Sequence, residues 1–255
     1  MTSYQLRNDD VTGYELHPDV VWIARSDGSV RLMHMGANVC AIDADSTALL
    51  TSIIEVGPKR AASALAALRN IDVAEALEDV QDFIRQLRKQ KLIQPHRQGK
   101  SLLEKARDSA ARGLVPGATH LVDRVTRNLN GKVRGLLWAA KWAVAQFGWA
   151  RAIREWERVY PQPTVDTPAS AAQLEAIDQA VRQAASRSLM EVECKERSLV
   201  CLALARESGI PAQLIVGVTH NPMRGHVWVE AGGRVISDDP EHYRYFEPVA
   251  RYGNR

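Results

Sequence analysis

Three residues in the C-terminal half have the types and spacing for acyl chemistry: Cys194, His226 and Asp238. Cys194 opens the run Cys-Lys-Glu-Arg-Ser-Leu, the start of an expected helix whose apolar face passes through Leu199, Leu202, Ala203 and Ala205. A thiol at that position meets unpaired backbone amides and the positive end of the helix dipole. These favour thiolate and can receive an oxyanion. His226 and Asp238 bound the ribbon H-V-W-V-E-A-G-G-R-V-I-S-D. A carboxylate that holds an imidazole fixes its tautomer and stabilises the imidazolium, which makes the histidine a general base. Together the three read as nucleophile, base and orienting acid. The plain structural alternatives are a solvated His–Asp pair and a packed cysteine; agreement of three independent placements favours the catalytic reading.

The ribbon alternates apolar and polar positions and is rich in β-branched residues, which predicts two strands. A three-residue loop of Ala231, Gly232 and Gly233 would set His226 opposite Asp238 and Glu230 opposite Arg234, with Val227, Val229 and Val235 on one face. A two-residue Gly232-Gly233 turn would instead bring Asp239 opposite His226 and divide the valines. The three-residue turn is preferred for its self-consistency.

Other chemistries are poorly supported. Cys201 lies among Val200, Leu202 and Ala203 and is read as a neutral core thiol. No C-x-x-C or H-x-x-x-H spacing offers a zinc site, His220 falls in an expected loop, and no glycine-rich phosphate loop occurs, so neither metal nor cofactor is expected. With 45% hydrophobic and 25% charged residues the chain has an ordinary globular composition. Its 255 residues suit one large or two smaller domains.

No basic start followed by an apolar core marks a secretory signal. The longest apolar run, from Leu136, is broken by Lys141 and falls short of the roughly 20 residues that span a bilayer. Three cysteines, Cys40, Cys194 and Cys201, form an odd and sparse set that points to a reducing compartment, hence the cytoplasm. A net charge of +3 does not by itself imply nucleic acid.

Stepwise patterning then supplies the elements that must hold these residues. Asp19–Ala24 and Ser29–Met35 read as strands joined by Arg25-Ser-Asp-Gly28, and Asn38–Ile42 as a third. Three helices follow: one capped by Asp43 or Asp45 and stopped at Gly57-Pro58, one from Ala61 to Leu68, and one capped by Asp72 with a stripe of Val73, Leu77, Val80, Ile84 and Leu87. This βββααα order over residues 15–95 makes a small domain. Residues 96–135 are basic, and Gly113-Leu-Val-Pro-Gly117 is expected to break them into two weakly helical pieces of a linker. Residues 136–255 read as a second, α+β domain in which Trp138, Trp142, Phe147, Trp149 and Trp156 form a stripe taken as core. A helix is expected from Ala171 to Ser186, and the strand-like AQLIVGV precedes the ribbon.

Cys194-Lys-Glu-Arg-Ser-Leu, the following S-G-I-P-A-Q-L-I-V-G-V, then H-V-W-V-E and G-R-V-I-S-D resemble the transglutaminase-like cysteine peptidases that remove leader peptides in lasso peptide biosynthesis. The first domain resembles the PqqD-like precursor-recognition module, a winged-helix unit fused to that peptidase in part of the family. The resemblance implies an α+β chain with a winged-helix-like domain ahead of a transglutaminase-like, papain-like peptidase domain. It carries the family's nucleophile onto Cys194, its base onto His226 and its acid onto Asp238; valine at 227 departs from the family's usual alanine. Partners implied are a lasso precursor peptide, bound through its leader, and an ATP-dependent, asparagine synthetase-like cyclase.

A winged helix invites a nucleic-acid reading, but the third helix carries Glu75, Glu78, Asp79 and Asp82 in its N-terminal half, where phosphates would be repelled. Strand addition is the alternative, and the resembled module binds its leader that way. Val39, Cys40 and Ile42 on the strand, with Asp79, Phe83 and Gln86 on the helix, are the leader-binding candidates. Two competing functions remain: acyl transfer to an amine through the same triad, and a non-catalytic scaffold that presents the precursor.

Overall fold

The computed structural model describes residues 13–36, 39–96, 99, 101–164, 170–237, 239 and 241–253. The chain divides into two compact units, Met1–Glu104 and Lys105–Arg255.

The first unit runs β1 (Gly13–Leu16), β2 (Val20–Ala24), β3 (Val30–His34), β4 (Val39–Ile42), α1 (Ala44–Val56), α2 (Pro58–Arg69), α3 (Val73–Lys89) and β5 (Ile93–His96). Strands β2, β3 and β4 form an antiparallel sheet in that order. The β2–β3 turn is locked by Asp27, whose carboxylate accepts from the Ser29 amide at 3.0 Å and hydroxyl at 2.6 Å. Asp43 caps α1 by accepting from Ser46 N at 2.8 Å, and Asp72 caps α3 by accepting from Ala74 N at 2.7 Å. Each cap satisfies an amide that the first helical turn leaves unpaired. Val30, Leu32 and Ile42 of the sheet pack with Leu50, Ile53, Leu65, Val80, Ile84 and Leu87 of the helices in one core.

The expected three strands and three helices are therefore present, with two strands added. β1 pairs antiparallel with β5, Tyr14 opposite Pro95. Proline cannot donate to a ladder, so Pro95 argues against a strand in isolation; a two-stranded ribbon, which is all edge, tolerates it. The stripe of α3 also begins one turn later than expected: Val73 is exposed and Ala76 is buried.

The second unit carries nearly all of α4 (Leu102–Val125), then α5 (Leu129–Phe147), α6 (Trp149–Val159), α7 (Ala171–Ser186), α8 (Cys194–Glu207), β6 (Ala212–His220), β7 (Met223–Ala231), β8 (Arg234–Ile236) and β9 (Glu247–Tyr252). The expected break at Gly113–Gly117 does not occur: α4 continues through Pro116. Ala111, Val115, Thr119 and Val122 recur at helical spacing and are buried, and this packing outweighs the one backbone bond that a proline removes. At the next crossing, a side chain on Gly135 of α5 would stand 2.7 Å from Val122, so only glycine permits this approach of the two helices. Asp108 of α4, in the segment read as a basic linker, is held by Arg151 at 2.7 Å and Arg154 at 3.3 Å.

Helix α8 is central. It packs on α5, α6, α7, β6 and β7, and Ser198 through Arg206 are all buried. A helix apolar on nearly every side belongs inside a domain. Trp156 donates to the Leu199 carbonyl at 2.8 Å, and Arg206 reaches the carbonyls of Tyr160 and Ala212 at 2.7 and 2.9 Å, which fixes both the middle and the end of the helix. The sheet beside it is antiparallel, in the order β8-β7-β6-β9.

The β7–β8 turn corrects an expectation. The strands pair Ala231 with Arg234, Glu230 with Val235 and Val229 with Ile236, so the loop is Gly232-Gly233 alone and not a three-residue turn. Both glycines have positive φ, 54° and 75°, as a two-residue hairpin turn matched to strand twist requires. Arg234 consequently does not face Glu230, which instead binds Arg251 of β9 at 3.0 Å. The valines do divide. Ile236 takes the position beside Val229 that Val235 was expected to hold, and Val235 joins Ile215, Trp228 and Phe246 in a second cluster.

Candidate active site

Cys194 is the first residue of α8 and is half-buried. The helix start is fixed locally: Glu196 accepts from the Glu193 amide at 2.7 Å, and Lys195 pairs with Glu193 at 2.8 Å. Burial pushes the Glu196 carboxyl above the usual glutamate range, with the nearby Lys195 charge opposing the shift. The cap residue directly ahead of Cys194 is thereby tied to the first turn of α8.

His226 lies on β7, 7% exposed, opposite Gly217 of β6. Its ring packs among Trp228 (centroids 6.2 Å, near-parallel), Phe246 (4.8 Å) and His242 (4.9 Å, edge-on). Gly217 is required here: a Cβ would stand 2.6 Å from the Trp228 ring and 3.0 Å from Phe246. The absent side chain makes room for the aromatic wall against which the imidazole rests.

Ser198 links the helix to the ribbon. One turn past Cys194 and on the same side of α8, its buried hydroxyl donates to the Val227 carbonyl at 2.9 Å, next in sequence to His226. The same hydroxyl lies 3.1 Å from that of Ser237, the residue before Asp238. The turn after Cys194 thus touches the neighbours of both other candidates. Among the described residues no hydrogen bond joins the Cys194 thiol to His226; in sites without substrate such contacts are commonly long.

Asp238 lies outside the described residues. Its approach is built by Ser237, a buried non-glycine residue at φ 74° whose amide donates to Asp178 of α7 at 2.8 Å. A left-handed serine is strained, and among the described residues the last ladder pair before it is Val229 with Ile236. Asp239, which the two-residue turn would have set opposite His226, is exposed and accepts from the Glu241 amide at 2.8 Å.

Cys201 is fully buried, and burial raises its thiol far above the ordinary cysteine range. His220, expected in a loop, instead ends β6 and meets Glu247 at 2.6 Å in an exposed pair. Ser198, Ser237, Asp178, Gly217 and His242 escaped the sequence reading. Ser198 had one available signal, its four-residue spacing from Cys194.

In the first unit, β4 is the terminal strand of its sheet. Val39 and Cys40 are half-buried, but Ile42 is 4% exposed and packs in the core, so its side chain is closed to a ligand. Burial raises the Cys40 thiol, opposed by the Arg31 charge. Asp79 is exposed and 3.6 Å from Arg69; Phe83 is half-buried against the core, and Gln86 is exposed.

A grouping that no spacing rule anticipated also lies in this unit: His17, Asp19 and His34 offer ligand atoms within 4.8 Å of one another. Yet Nδ1 of His17 accepts from the Asp19 amide at 3.2 Å, and Nδ1 of His34 accepts from the Gly36 amide at 3.1 Å. Neutral rings bonded in this way carry their protons on Nε2, whereas a ligating imidazole offers one lone pair and donates from its other nitrogen. The trio as arranged fits a cation poorly.

No helix of the described residues is long and apolar enough to cross a membrane. Comparison with known proteins agrees with the C-terminal architecture, since residues 135–251 match the Transglutaminase-like superfamily. No curated protein and no solved structure matches the chain. Residues 135–251 are a transglutaminase-like domain, a type compatible with cysteine peptidase or acyltransferase chemistry.

Proposed function

We propose that the chain is a leader peptidase: its first unit binds the leader of a ribosomally made lasso precursor peptide, and its second cleaves the leader off by Cys194–His226–Asp238 thiol chemistry. The observation that carries the reading is the tie between Cys194 and the ribbon through Ser198, whose hydroxyl bonds the carbonyl beside His226. The motif resemblance supplies the substrate class. The terminal strand β4 and the acidic start of α3 suit peptide addition better than phosphate contact.

In the mechanism, the Cys194 thiolate attacks the scissile carbonyl, and first-turn amides of α8 receive the oxyanion. The imidazolium of His226 gives its proton to the departing amine, leaving an acyl-thioester on Cys194. His226 then takes a proton from water, whose oxygen attacks the thioester; the acid is released and the thiol regenerated. Asp238 orients the imidazole throughout. Leader capture by the first unit raises the local concentration of the scissile bond. The core peptide, with its new free amine, is the substrate class of an ATP-dependent, asparagine synthetase-like cyclase that forms a macrolactam.

The test is mass spectrometry of candidate precursors incubated with the full chain. Cleavage that is lost in Cys194→Ala while precursor binding persists supports the reading. A product carrying an added amine in place of a free acid identifies acyl transfer, and unchanged cleavage by Cys194→Ala overturns the mechanism.

A further inference from the structure

The second unit holds a cleft of about 310 Å³ that the chemistry above leaves unused. Arg134, Leu137 and Trp138 of α5 form one wall; Ala184 of α7 and the segment Leu189–Met190 form the other. The size is at the lower end for a small-ligand site and suits one or two side chains. Leu137 and Ala184 at its base are buried, but two of its apolar residues are open to water: Leu189 is fully exposed and Trp138 is 52% exposed. Covering either would remove apolar surface from water, so a surface that leaves both wet is suited to a partner that covers them.

The cleft is also braced. Trp138 stacks on Trp142 (6.3 Å, 7° between planes), which meets Phe147 edge-on at 5.5 Å. The stripe read from sequence as core is thus divided: Trp149 and Trp156 are buried, while Trp138 stands at the cleft. Lys141 of α5 donates to the Glu191 carbonyl, which fastens the segment between α7 and Cys194 to the same helix. Leu189 and Met190 precede Cys194 by five and four residues, so this wall stands no more than about 18 Å from the nucleophile along the chain. At the rim Arg134 is exposed and makes no ion pair among the described residues.

We infer that this cleft is a substrate subsite: it takes a large aliphatic or aromatic side chain of the peptide, within a few residues of the cut, beside an acidic residue that pairs with Arg134. The inference rests on the peptidase reading for its assignment to substrate, but its binding test does not need the chemistry. Apolar contact with Leu189 and Trp138 supplies the affinity, and the guanidinium selects the sign of the neighbouring charge.

The experiment uses the full chain carrying Cys194→Ala and two pools of fluorescein-labelled octapeptides, random except for a fixed central Leu-Glu or Ser-Lys. Fluorescence anisotropy should show the Leu-Glu pool bound at least about fivefold more tightly. Leu189→Ser and Arg134→Glu, both at exposed positions that leave the core intact, should each reduce that preference, and together abolish it. Equal binding of the two pools, or a preference that survives both substitutions, overturns the subsite. If the preference is present but the wild-type chain cleaves neither pool nor any precursor, the cleft stands as a peptide-binding site and the peptidase reading fails.

Discussion

The hydroxyls of Ser198 and Ser237 lie 3.1 Å apart, both buried, where the helix that begins at Cys194 meets the chain about to enter Asp238. Ser198→Ala removes this contact and also the donor to the Val227 carbonyl. A buried carbonyl left without its donor costs about 1–3 kcal/mol. Cleavage should fall on the order of tenfold or more at a temperature where the variant is folded, because small displacements of a catalytic group are costly. Thermal melting alongside steady-state kinetics checks both parts; a melting loss with undiminished kcat would make Ser198 purely structural.

Asp178 holds the other side of the same junction by accepting from the strained Ser237 amide, and Arg182 braces its second oxygen at 2.8 Å. Asp178→Ala frees a left-handed serine to relax, which loosens its contact with Ser198 beside the candidate site. Activity should fall with little change in precursor binding, so the loss appears in kcat. Asp178→Asn keeps an acceptor oxygen and should retain most of the activity.

Gly217→Ala forces a methyl against Trp228 and Phe246, the rings that support His226. Overpacking of this kind costs about 1–3 kcal/mol and moves side chains. The expected result is a shift in tryptophan emission and a drop in kcat on the order of tenfold, while Cys194 remains alkylatable. Unchanged turnover would mean that the aromatic wall does not position the imidazole.

The start of α8 gives a pH-dependent expectation. Burial raises the Glu196 carboxyl in the folded chain, so the folded state binds this proton more tightly than the unfolded state. The contribution to stability is present below the ordinary glutamate range and is lost as pH rises through the raised folded value. Glu196→Gln keeps an acceptor for the Glu193 amide but cannot ionise. Its stability relative to wild type should therefore improve from about pH 4 to about pH 7, whereas Glu196→Ala, which loses the cap, should cost about 1 kcal/mol. Urea midpoints at the two pH values measure the difference.

Much of this arrangement is legible in the residues because the signals are local. Asp43 and Asp72 sit where caps are needed, Gly57-Pro58 punctuates two helices, and Ser170 begins α7 by accepting from Gln173 N at 3.1 Å. What failed were inferences in which local chemistry competes with packing. Pro116 is a breaker in isolation, yet Ala111, Val115 and Val122 carry α4 through it. The Gly232-Gly233 turn divides the valines, which makes it look unfavourable in sequence, but Ile236 serves as well as Val235 opposite Val229. Ser237 has no sequence mark at all; its left-handed backbone is set by Asp178 and Ser198 from two different helices. Long-range partners of this kind do not appear in periodicity.

The three cysteines offer a direct comparison of environments. Cys201 is closed on all sides and its thiol is pushed far up by burial, so thiolate is scarce and reagent cannot enter. Cys40 is half-buried, and burial raises its thiol too. Cys194 stands half-buried at a helix start, beside first-turn amides and Lys195. Iodoacetamide near neutral pH should therefore modify Cys194 first, Cys40 more slowly and Cys201 only after denaturation, with on the order of a hundredfold between first and last. Peptide mapping of the alkylated chain over time gives the order. If Cys40 reacts ahead of Cys194, the nucleophile assignment loses its chemical support.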